Sequence, residues 1–376
     1  MLYLDNAATT PVRAEVLEAM TPYLTDEFGN PSSRHTVGER AATALEDARG
    51  RVAAVLGMRR GDVVFTSGGT EANNLAVKGV SLAALESRGA RHVVATPIEH
   101  ESILASAAYL ERFHGFDVTL VPVDGTGRVD PGGLAEAVRD DTAVVSVGLA
   151  NNEIGTVQDA PALAAVAHER RVPFHLDAVQ AAGWLPLRDT GADAIALAGH
   201  KLGAPKGTGV LAVRGRIPLE PLLHGGGQQR GRRSGTEPVA DAVGFAVALE
   251  LAESERAGRA EHVAAVRDGF VDRVLARVPS ARLTGHPTAR LPGTASFTFA
   301  GTSGEAVLLE LERRGVVSSS GSACAAGSDE PSHVLVALGI PPELAQTSVR
   351  FTLPHTHRGS LDAVADAVAD AVAAVR

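Results

Sequence analysis

Seven short runs of β-branched and small apolar residues alternate with longer stretches of helical texture, and this alternation constrains the fold more than any other feature. The runs lie at 62–66, 92–96, 117–123, 143–148, 173–177, 194–198 and 210–213, with helix-like segments at 70–85, 101–114, 131–139 and 161–170 between several of them. Parallel strands need a long return connection, and a helix supplies it. The pattern therefore predicts βαβ units around a mostly parallel seven-stranded sheet, an α/β fold. Such sheets bind ligands beyond the carboxyl ends of their strands, so chemistry is expected in the loops that follow the runs.

Past the glycine-rich stretch 225–235 the texture changes. Residues 238–277 are rich in alanine, glutamate and arginine and read as one or two long helices. A strand-like run at 294–299, a helical one at 304–314 and a last helix at 360–376 follow. This predicts a second, smaller α+β domain joined through a long helix with no flexible linker. A length of 376 residues suits two or three domains, and no period of about 20–50 residues signals a repeat architecture.

The charge balance, 35 − 44 = −9, offers no net positive field to attract phosphate backbones. That argues against a dedicated nucleic-acid binder. Cys324 is the only cysteine, which excludes an intramolecular disulfide and any multi-cysteine metal site. No spacing of His, Asp or Glu makes a convincing metal site. The first residues lack a basic and an apolar signal region, and no apolar run approaches about 18 residues. No membrane span is expected, and the expected compartment is the cytoplasm.

Three loops carry candidate chemistry in chain order. Gly68-Gly69-Thr70 follows a predicted strand and opens a predicted helix, where bare backbone N–H groups can bind an anion; a plain strand-to-helix turn explains it equally well. Asp177 ends the run Phe174-His175-Leu176-Asp177. A buried carboxylate there calls for a cationic partner, such as the protonated ring nitrogen of a pyridine cofactor, although a helix cap or salt bridge is commoner. Lys201 sits in Gly199-His200-Lys201-Leu202-Gly203. A desolvated lysine becomes a nucleophile toward carbonyls, whereas most lysines in turns are simply solvated. Anion turn, then Asp, then Lys is the ordered set that a pyridoxal-phosphate site needs.

Cys324 lies in Ser318-Ser319-Ser320-Gly321-Ser322-Ala323-Cys324-Ala325-Ala326-Gly327-Ser328, a segment too small-sided to pack a core, so a mobile loop with a reactive thiol is expected. The competing reading is a buried, inert cysteine. His100, just after a strand end, has a ring that can stack on a flat ligand. His35, His224, His333, His355 and His357 read as loop residues.

These residues sit in motifs that resemble those of cysteine desulfurases, pyridoxal-phosphate enzymes of the class V aminotransferase, aspartate-aminotransferase-like fold. The matching segments are Tyr3 to Thr10, Gly29-Asn30-Pro31-Ser32-Ser33-Arg34-His35, Phe65 to Asn74, Glu99-His100, Asn151 to Gly155, His175 to Gln180, His200-Lys201, Gly225 to Thr236, and Ser320 to Cys324. They span the chain in the family's order, and the likeness is greatest to the branch with a long cysteine loop. The resemblance implies a large cofactor-binding domain over 13–255 and a small domain built from 1–12 and 256–376.

It also implies roles. Lys201 would hold pyridoxal 5'-phosphate as a Schiff base, Asp177 would pair with its pyridine nitrogen, and His100 would stack on its ring. Asn152 and Gln180 would contact the phenolic oxygen side, while Gly69, Thr70 and His200 would bind the phosphate. Thr236 would reach the phosphate of a partner subunit's cofactor, which implies a homodimer with shared active sites. Asn30 and Arg350 would hold the carboxylate of L-cysteine, Cys324 would accept the sulfur, and His100 and Lys201 would move protons. An acceptor protein, for iron–sulfur clusters, tRNA thiolation or a thio-cofactor, would then take the sulfur.

Three departures from the family pattern stand out. Ala198 replaces a phosphate-binding serine, a loss of about 1–2 kcal/mol in cofactor affinity. Thr352-Leu353-Pro354 follows Arg350 in place of Ser-Leu-Gly. The sequence ends 26 residues after Arg350, shorter than the tail that docks scaffold proteins in some members. A selenocysteine lyase, an aminotransferase or a non-catalytic sulfur-relay protein are the competing readings. Cys324 speaks against the first two, and the joint presence of Lys201, Asp177, His100 and Cys324 against the last.

Overall fold

The computed structural model describes residues 1–320 and 330–376. All seven predicted runs form strands of one sheet, in the spatial order Val63–Thr66, Gly209–Val213, Ala194–Ala198, Phe174–Asp177, Thr142–Gly148, His92–Ala95, Asp117–Leu120. Six strands are parallel. Gly209–Val213 runs against both of its neighbours. The central strands are buried along nearly their whole length, as expected for a sheet covered on both faces.

The helices between the strands hold their ends by local devices. Glu101–His114 starts at His100, whose side chain accepts the Ser102 N–H, and stops at Gly115 with φ 66°, where a left-handed residue ends the helix without strain. The predicted helix at 70–85 extends over 69–88 and contains a π-helical turn at Leu75–Gly79. The first turn of that helix reaches the ligand-binding end of the sheet.

Residues 238–277 form one helix, Val239–Arg277, of 39 residues. At 1.5 Å per residue it is about 58 Å long. Its first half buries Val243, Phe245 and Leu249 in the core of the large sheet; its second half buries Val263, Phe270 and Val274 in another core. That second core packs on a three-stranded antiparallel sheet with Thr294–Phe299 between Ala281–Leu283 and Ser348–Thr352. The N-terminus joins it: Leu2–Tyr3 pairs with Val316–Val317, Leu4 is fully buried there, and Asp5 bridges to Thr352. Trp184 packs against both cores and stacks on His355 at 3.7 Å between ring centroids and 17° between planes.

Candidate active site

The carboxyl ends of the parallel strands open on a cavity of about 360 Å³, within the size range of small-ligand sites. Nine residues expected from the sequence line it: Gly69, Thr70, His100, Asn152, Asp177, Gln180, His200, Lys201 and Arg350. Each of the first eight lies within five residues after the end of a strand of the large sheet, or is the strand's last residue. Arg350 comes from the other core, so the site is built where the two cores meet.

The phosphate-type turn is shaped by close packing. Gly68 has φ 153°, and a Cβ at Gly69 would lie 2.8 Å from Val179 Cγ2, so only glycine fits there. Ala198 lines the cavity beside this turn, with its Cβ 3.3 Å from that same position. His200 turns Nδ1 to Thr9 Oγ1 at 3.2 Å, and burial together with Lys201 and Lys206 lowers its pKa to about 4. Neutral at physiological pH, it is a hydrogen-bond donor rather than a cation. Lys201 Nζ donates to the carbonyls of Ala7 and Ala8, the latter at 2.8 Å, and Gln180 Nε2 donates to Ala7 O at 3.0 Å. The N-terminal motif thus acts as the floor that orients Lys201.

Asp177 is 9% exposed. Its Oδ2 accepts from Asn73 Nδ2 at 2.7 Å and its Oδ1 from the Val179 N–H at 2.9 Å. Both donors are neutral, so a cationic ring N–H in the cavity would supply the charge partner that a buried carboxylate calls for. Asn73 Oδ1, also buried, has no hydrogen-bond partner among the described residues. Glu99 is a second buried carboxyl on the cavity wall. Desolvation, with the nearby Asp177 charge adding to it, raises its pKa to about 8, against the opposing bonds from Thr96 and Gly148. Burial thereby favours the neutral form of Glu99.

Arg350 is buried in the central cleft. Nη1 donates to Asn152 O at 2.8 Å and Nη2 to Asp5 Oδ1 at 2.7 Å. Its backbone pairs with Ser319 in both directions, and Ser348 Oγ donates to Ser320 O at 2.7 Å. On the far side, Ser332 Oγ donates to buried Glu153, and His333 Nε2 lies 3.1 Å from Glu99 O. The segments on both sides of 321–329 are thus tied to the cavity rim. Cys324, and the mobile loop expected around it, lie outside the described residues.

Asn30 and Thr236 do not line the cavity. Both are exposed, and Asn30 Oδ1 accepts the Ser32 N–H at 2.9 Å. Sequence reasoning passed over Asn73, Ser102, Glu99 and Asp5, all of which touch the site or its first neighbours. Each lies within three residues of a residue singled out or inside a quoted motif. Their partners are up to 345 positions away, which no local spacing reveals. Among the described residues no cluster of three or more His, Cys, Asp or Glu is placed to hold a metal.

The donor set fits pyridoxal 5'-phosphate: an amine, a buried carboxylate with neutral donors, an imidazole on the wall and a glycine turn at a helix start. Comparison with known proteins agrees. The family model Aminotransferase class-V matches residues 2–361. The chain is 43% identical over 378 residues to cysteine desulfurase IscS of Dictyoglomus turgidum, covering 100% of this chain and 95% of that protein. A solved NifS-like protein superposes with a TM-score of 0.92 at 34% identity, over the full length of both chains. A structure of SspA in complex with cysteine gives 0.82 at 36% identity, covering 94% of this chain and 99% of that one. With its fold and nearly its whole length matching, the chain belongs to the class V aminotransferase family, whose cofactor is pyridoxal 5'-phosphate.

Proposed function

We propose that this chain is a cysteine desulfurase, converting L-cysteine to L-alanine and keeping the sulfur as a persulfide on Cys324. One observation carries the reading: Lys201, Asp177, His100 and Arg350, drawn from four distant segments, line a single cavity. The relatives named cysteine desulfurase and the solved SspA–cysteine complex support the same substrate.

Lys201 would hold the cofactor covalently, Asp177 would face its pyridine nitrogen and His100 its ring. Gly69, Thr70 and His200 would hold its phosphate, with Asn152 and Gln180 on the phenolic oxygen side. When bound, the cofactor supplies an electron sink that makes the substrate Cα–H acidic. Arg350 would hold the substrate carboxylate, a group whose planar shape a guanidinium fork matches. Lys201 Nζ, oriented by the Ala7 and Ala8 carbonyls, carries the proton between Cα and the site.

The Cys324 thiolate attacks the substrate sulfur. An S–S bond forms, the C–S bond breaks with its electron pair left on Cβ, and a proton completes the methyl group of alanine. The protein retains –S–SH, and no outside oxidant is needed. An acceptor protein in iron–sulfur cluster assembly, tRNA thiolation or thio-cofactor synthesis then takes the outer sulfur.

The finer organisation is proposed with it: a large unit over 13–255, a small one over 1–12 and 256–376, and a cytoplasmic homodimer. Thr236, exposed and off the cavity, is free to serve a partner subunit's cofactor phosphate. Among the described residues no helix is long and apolar enough to cross a membrane. The test compares wild type with Cys324→Ala for alanine and sulfide release from L-cysteine in the presence of a thiol reductant. Alanine from the wild type alone is the expected result. Equal activity would make the thiol dispensable and favour a lyase.

A further inference from the structure

Between Asp177 and His100 runs an unbroken line of hydrogen bonds through two side chains with no role assigned above. Asn73, 2% exposed, donates one Nδ2 hydrogen to Asp177 Oδ2 at 2.7 Å and the other to Ser102 Oγ at 2.9 Å. Ser102 Oγ lies 2.8 Å from His100 Nδ1, and the Ser102 backbone N–H donates to the same nitrogen at 3.0 Å. Asn73 and Ser102 both line the cavity.

The directions in this line are forced. A carboxylate only accepts, so the Asn73 amide must present nitrogen to Asp177. The second hydrogen of that nitrogen occupies one lone pair of Ser102 Oγ, and because the Ser102 N–H already donates to His100 Nδ1, that nitrogen accepts and the proton between it and Oγ is the hydroxyl's. His100 Nδ1 thus receives two donors and carries no proton of its own.

We propose that Asn73 and Ser102 are positioning residues that transmit the Asp177 charge into the tautomer of His100, fixing it as the neutral Nε2–H form. The assignment of this line to the reaction rests on the desulfurase reading; the tautomer itself does not. The consequence for the chemistry is specific. Neutral His100 offers a proton from Nε2 but has no lone pair there to accept one, because accepting at Nε2 requires a proton on Nδ1, which loses the Ser102 N–H bond and reverses the Ser102 hydroxyl bond. His100 is then a donor to the occupant of the cavity, and the base duty falls to Lys201.

The test is nitrogen NMR on holoenzyme labelled with ¹⁵N-histidine at mildly alkaline pH, with the His100 signals identified by their loss in His100→Gln. Wild type is expected to show Nδ1 unprotonated and Nε2 protonated, as a single form. Ser102→Ala and Asn73→Ala should each raise the Nδ1–H form at least tenfold, and Ser102→Thr should restore the wild-type pattern. Asn73→Ala should also move the pH midpoint of the cofactor's visible absorption, because Asp177 loses a donor. A proton on Nδ1 in wild type overturns the proposal. So do Ser102→Ala and Asn73→Ala spectra that match wild type. Alanine release, measured on the same samples, reports separately on the desulfurase reading.

Discussion

Arg350 Nη2 donates to Asp5 Oδ1 across 2.7 Å, joining residues 345 positions apart at the mouth of the cofactor cavity. With Nη1 on the Asn152 carbonyl at 2.8 Å, the guanidinium is held at both ends before any substrate arrives. A planar guanidinium makes both bonds at once and matches a carboxylate in shape. A lysine ammonium is a point charge on a flexible stem and does not. Arg350→Lys is expected to raise KM for L-cysteine by about tenfold or more, equivalent to about 1.4 kcal/mol, with a smaller change in kcat. Steady-state alanine release checks this; an unchanged KM would take the substrate carboxylate away from Arg350.

Ala198 bears on cofactor affinity. It lines the cavity next to the Gly69 turn and His200, where a hydroxyl would reach the phosphate side. Ala198→Ser is expected to tighten pyridoxal-phosphate binding by about 1 kcal/mol, or roughly fivefold, the net worth of one added hydrogen bond. Equilibrium titration of apoprotein followed by visible absorption measures it. Equal or weaker binding would mean that the hydroxyl does not reach the phosphate.

The large sheet was legible because every strand is bounded by turn residues and separated from the next by enough chain for a helix. All seven runs became strands, with ends shifted by at most a few residues. The strands Leu2–Tyr3 and Val316–Val317 were not legible. Each is two residues long, and they pair only with each other across the whole sequence. The same holds for the site. Lys201, Asp177 and Gly69 announce themselves by local context, whereas Asn73 matters through partners 29 and 104 positions away. Thr352-Leu353-Pro354-His355, odd as a sequence, acquires a reason from Trp184: the His355 ring stacks on the indole where the two cores meet.

That stack predicts a stability effect. Trp184 packs against both cores, so truncating it loosens the contact between them as well as opening a void. Trp184→Ala is expected to cost about 3–5 kcal/mol, in the range for large aromatic truncations. Denaturant unfolding should show it as a lower midpoint. A loss below about 1 kcal/mol would show that the contact carries little of the stability.

The pH dependence of stability has two opposing arms. Burial lowers the pKa of His175 to about 3 and that of His200 and His355 to about 4, from an ordinary 6.5. Between pH 6.5 and about 4 the unfolded chain binds protons at these three sites that the folded one does not, so stability falls as the solution is acidified. Glu99 works the other way. Its folded pKa of about 8 exceeds the ordinary 4.5, so the folded chain holds the extra proton and stability falls as pH rises from 4.5 to about 8. Below pH 6.5 the three histidines outweigh the one carboxyl, and above it only the carboxyl remains, so these four groups place the optimum near pH 6.5. Glu99→Gln should flatten the decline between pH 6.5 and 8, removing up to about 1.4 kcal/mol per pH unit. His355→Phe should leave that arm intact and reduce the acid slope by about one proton, roughly half of the net two protons left after Glu99 offsets one of the three histidines. Urea unfolding across pH for both variants separates the arms. A Glu99→Gln profile parallel to wild type above pH 6.5 would place the Glu99 carboxyl in its ionised form.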